Sequence, residues 1–145
     1  MYREEEFMGV TIKFEFKRTN FKKDYGTDTL VYYQTGGFGN NPDVITVDNA
    51  ADESYSKWAS IHECICCGRY RLLSPATPDP RQRCGEIDKM IVEQMPEAER
   101  APYVAKRIEM FQTLSAKKLN PAMEHSFRES LKILKQMQEE LRTQS

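Results

Sequence analysis

The chain has 145 residues, 21 basic and 22 acidic, for a net charge of -1, and a mean hydropathy of -0.68. That length suits one domain, 1–145, able to bury a core without disulfides or metals as obligatory staples. The balanced charge gives no global field for nucleic acid or an anionic membrane, and no run approaches the ~18 apolar residues of a membrane span.

The N-terminus, Met1-Tyr2-Arg3-Glu4-Glu5-Glu6-Phe7, is acidic rather than basic-then-apolar, so no export signal is expected. Met8-Gly9 offers an alternative start. Val10, Ile12, Phe14 and Phe16 alternate with Thr11, Lys13, Glu15 and Lys17, the period of a strand with one apolar face. The basic stretch Lys13 to Lys23 reads as one face of that strand rather than a nucleic-acid patch. Phe21 to Tyr25 is ambiguous and ends at Gly26. Leu30-Val31-Tyr32-Tyr33 is rich in strand formers. Gly36-Gly37-Phe38-Gly39-Asn40-Asn41-Pro42 signals a hairpin loop, with no Lys-Ser/Thr to make it a phosphate cradle. Val44-Ile45-Thr46-Val47 completes three strands in 1–48.

Residues 49–145 read as mainly helical. A first helix spans about Asp52 to Cys67, with Asp48 or Asn49 as N-cap and Gly68 as C-terminal stop. Leu72 to Pro80 is an irregular connection. A second helix runs from about Pro80 to Met95 and a third from about Glu97 to Lys117. The last begins at Asn120-Pro121, where Met123, Phe127, Leu131, Leu134, Met137 and Leu141 recur at helical spacing. Met90, Met95, Met110, Met123 and Met137 read as core, and His125 as solvent-facing. The expected fold class is α+β: a small, mostly antiparallel three-stranded sheet followed by about four helices.

Chemistry concentrates in Ser60-Ile61-His62-Glu63-Cys64-Ile65-Cys66-Cys67-Gly68, which holds three of the four cysteines and one of the two histidines. Clustered thiols, two of them adjacent, are unlike a secreted disulfide framework and fit reduced cysteines in a cytoplasmic protein. On a helix, His62 and Cys66 share a face one turn apart, at the edge of the Trp58–Ile61–Ile65 stripe, while Cys64 and Cys67 point elsewhere. Glu63 lies near the polar boundary, where a carboxylate can take a proton from a metal-bound water. Two ligands do not hold zinc alone; Cys84 is the preferred third, then Asp88, with Glu86 nearly opposite. That ranking rests on the second helix beginning before Cys84. Thiolate donors favour zinc over harder metals. Two other readings stand beside this one: cysteines packed as small hydrophobes, and a redox pair such as Cys66 with Cys84.

His62-Glu63-x-x-Cys66, after the strand Val44 to Val47, resembles the active helix of the zincin metallopeptidases, whose motif is His-Glu-x-x-His. The resemblance covers roughly Leu30 to Met95. It implies His62 as a ligand, Cys66 in the second ligand position, Glu63 as general base and a peptide or protein as substrate. It implies an active or an inactive metallopeptidase-like domain, because a thiolate in place of imidazole makes the metal a weaker Lewis acid. The alternative is a non-catalytic, phage-type accessory protein acting through its helical surface, with the last helix either docked on the domain or pairing two copies.

Overall fold

The computed structural model describes residues 1–36, 41–67, 70, 83–117 and 119–144. Its contacts divide the chain into two compact units, Met1–Leu72 and Leu73–Ser145.

The first unit is a four-stranded sheet with two helices. In chain order these are β1 (Tyr2–Phe7), β2 (Val10–Thr19), α1 (Phe21–Tyr25), β3 (Val31–Gln34), β4 (Asp43–Asp48) and α2 (Glu53–Cys66). The strand order is β1-β2-β4-β3. β1 with β2 and β3 with β4 are antiparallel, but β2 and β4 run parallel, with Phe14 opposite Asp43 and Thr19 opposite Asp48. The class is therefore α+β, as expected, while the sheet is mixed and has four strands rather than three. The added strand is the acidic N-terminus. Its link to β2 is the two-residue turn Met8-Gly9, with φ of 50° and 78°. Positive φ at both central positions is what a type I′ hairpin needs to match strand twist.

Alternation in β2 does what its period requires. Ile12, Phe14 and Phe16 are buried on the face that α2 covers, and Phe14 and Phe16 meet edge to face. β1 places Phe7 against Trp58 of α2 in the same geometry, 6.5 Å between centroids. Asp43 at the start of β4 leaves the preceding stretch of β2 without a parallel partner. There Tyr70 takes over: its hydroxyl accepts from the Lys13 N–H and donates to the Lys13 carbonyl.

α2 starts one turn later than the expected cap. Asp52, not Asp48 or Asn49, is the N-cap, and its side chain accepts from the Tyr55 N–H. Asp48 instead accepts from the Lys22 and Ala50 N–H groups. Arg18 braces this corner by donating to the Asp48 and Ala51 carbonyls. Phe21–Tyr25, ambiguous in sequence, is one short helix closed by left-handed Gly26.

The second unit contains α3 (Cys84–Gln94), α4 (Glu97–Ser115) and α5 (Pro121–Thr143), giving five helices among the described residues rather than about four. The expected start of α3 near Pro80 falls outside the described residues; the helix is described from Cys84. α5 opens as expected, with the Asn120 side chain accepting from the Met123 N–H and Pro121 in the first turn. Its stripe packs on α3 and α4, with Leu134 and Met137 buried and Phe127 edge to face with Phe111. Of the methionines expected in the core, Met95, Met110 and Met137 are buried, Met90 is half-buried and Met123, in the exposed first turn of α5, is exposed. His125 is exposed, as expected.

α3 and α5 approach closely at Gly85. A Cβ built there would lie 2.7 Å from Ser130 Cα, and the Gly85 N–H donates to Ser130 Oγ. Gly85→Ala gains about 1 kcal/mol of helix propensity, but a backbone atom cannot rotate away, and overpacking costs about 1–3 kcal/mol. We expect a net loss of stability, read from the urea midpoint, which Ser130→Gly in the same chain does not fully reverse. A stabilised Gly85→Ala protein would show that the helices separate freely.

Candidate metal centre

Each candidate ligand sits on a helix. His62 and Cys66 are one turn apart on α2 and are 1% and 3% exposed. Their neighbours Trp58, Ala59, Ile61 and Ile65 are also buried. Donors held in such apolar surroundings are shielded from bulk water. The apolar residues that define this side of α2 follow the spacing seen in sequence.

Glu63 is half-buried, and its carboxylate belongs to a different neighbourhood. Cys67 Sγ donates to Glu63 Oε2 at 3.7 Å. This i, i+4 contact runs along the flank that carries Cys67, not the flank that carries His62 and Cys66. Cys67 also adds to the electrostatic surroundings of Tyr33. Cys64 is buried, and its carbonyl accepts from the Tyr70 N–H.

Tyr33 and Asp43 form a pair that sequence reading missed. The Tyr33 hydroxyl donates to Asp43 Oδ1 at 3.1 Å, and Asp43 is 2% exposed. Tyr33 had the appearance of an ordinary core or edge aromatic in a strand. The only signal was the aspartate opening the next strand across the hairpin. Burial pushes the phenol's pKa up from 10.0; a hydrogen bond with the Thr35 side chain opposes this, and the Asp43 carboxylate adds to it. The folded chain then keeps a proton that the unfolded chain gives up above about pH 10, so stability falls as pH rises through that range. Tyr33→Phe should flatten the alkaline limb in urea titrations between about pH 8 and 11. An unchanged limb would show that Tyr33 titrates alike in both states.

In the second unit Cys84 is the first residue of α3, half-buried and not in a disulfide. Asp88, the other candidate third ligand, is fully buried, and both its oxygens are engaged. Oδ1 accepts from the Tyr103 hydroxyl at 2.6 Å and Oδ2 from Arg107 Nε at 3.0 Å. Arg107 is itself fully buried and stacks near Phe111. A metal at Asp88 would have to displace a buried guanidinium. Glu86 is exposed and paired with Arg83.

None of the four cysteines is in a disulfide. Within the first unit, His62 and Cys66 offer one nitrogen and one sulfur donor, one turn apart and buried on α2. Such donors suit zinc, which takes nitrogen and sulfur ligands in low coordination number. No described helix is long and apolar enough to cross a membrane. No protein-family model, curated protein or solved structure matches the chain.

Proposed function

We propose that this chain is a zinc-binding domain with a metallopeptidase-like helix, in which His62, Cys66 and Cys84 supply the protein ligands and the ion is held rather than used for hydrolysis. The observation that carries the reading is the pair His62 and Cys66, one turn apart on α2 and both almost wholly buried. The zincin resemblance supplies the ligand roles. The departure from it supports the non-hydrolytic half of the reading: Cys66 lowers the Lewis acidity of the ion, and the Glu63 carboxylate is engaged by Cys67. Asp88 is left out of the ligand set because it neutralises Arg107.

Metal analysis of protein purified without chelator tests this. We expect about one equivalent of zinc, falling below about a tenth in His62→Ala and Cys66→Ala and clearly reduced in Cys84→Ala. Asp88→Asn, Glu63→Gln and His125→Ala should keep the metal. Less than a tenth of an equivalent in the parent chain would sink the zinc reading in favour of cysteines packed as core, for which Cys64, at 0% exposure, already serves as an example. Peptide hydrolysis that disappears in Glu63→Gln while zinc stays bound would overturn the non-hydrolytic half and restore Glu63 as general base.

A further inference from the structure

We draw no further inference here: the strongest candidate, the side-chain cluster of Tyr33, Asp43, Glu63 and Cys67 at the C-terminal end of α2, joins one thiol to two carboxylates and a phenol, and no second feature of the fold shows what such a cluster would hold.

Discussion

Asp88→Asn should destabilise the helical unit by about 3–5 kcal/mol, the usual cost of leaving a buried charge without its counter-ion. The substitution keeps the shape of the side chain and an oxygen for the Tyr103 hydroxyl. What it removes is the negative charge facing Arg107, a guanidinium only 1% exposed. The large expected effect does not mean that the pair is a strong net stabiliser. Taking both ions out of water carries a desolvation cost that their attraction only offsets. Replacing the whole cluster with Asp88→Leu, Arg107→Met and Tyr103→Phe should therefore recover most of the loss. Urea unfolding followed by circular dichroism gives both values. A single substitution costing under about 1 kcal/mol would mean that Arg107 reaches water or another acceptor when Asp88 is neutral.

Trp58→Ala should cost about 3–5 kcal/mol in the sheet unit, the range for removing a large buried aromatic. Trp58 is 5% exposed. It packs edge to face on Phe7, the last residue of β1, and Lys57 Nζ lies 4.6 Å from its ring. Removing the indole leaves a cavity where α2 meets the edge of the sheet, so β1 should loosen first. Amide hydrogen exchange separates this from a general loss: protection should fall most in β1 and least in β4, whose core contacts Ile45 and Val47 remain. Equal loss in all strands would show that the sheet unit opens only as a whole. Trp58→Phe, which keeps a ring against Phe7, should recover much of the stability.

β2 was legible because a buried face imposes a period of two, and the helices because their stripes recur every three or four residues. β1 was not, and the reason is physical. Its α2-facing positions include Arg3 and Glu5, charges that no period would place there. Arg3 lies 3.7 Å over the Phe16 ring and pairs with Glu53, and Glu5 pairs with Lys57. A strand at the edge can carry such residues, since they reach partners along the rim and discourage further pairing. Strand direction was equally hidden: alternation says which face is buried and nothing about which neighbour runs beside it. The N-cap was misplaced because Asp48, Asn49 and Asp52 are all competent, and tertiary demand sent Asp48 to the Lys22 and Ala50 amides.

For the candidate ligands, helical spacing put His62 and Cys66 together on one face of α2, where both are buried. It could not show which neighbour Glu63 would choose, since a carboxylate at the boundary can swing either way and Cys67 sits one turn on. Asp88 was read correctly as lying on the inner side of its helix. Its engagement by Arg107 and Tyr103 depends on a second helix whose approach no local pattern encodes.

The parallel seam between β2 and β4 has a kinetic consequence. β1 with β2 and β3 with β4 are hairpins whose partners lie close in sequence, so each closes over a short loop. The seam alone must bring Phe14 to Asp43 and Lys17 to Thr46 across the whole of α1 and β3. Loop closure over that span carries the larger entropic cost and repays nothing until the pairing is made. Completion of the sheet, and of the platform on which α2 and its histidine rest, thus waits on the joining of two halves that can each form first.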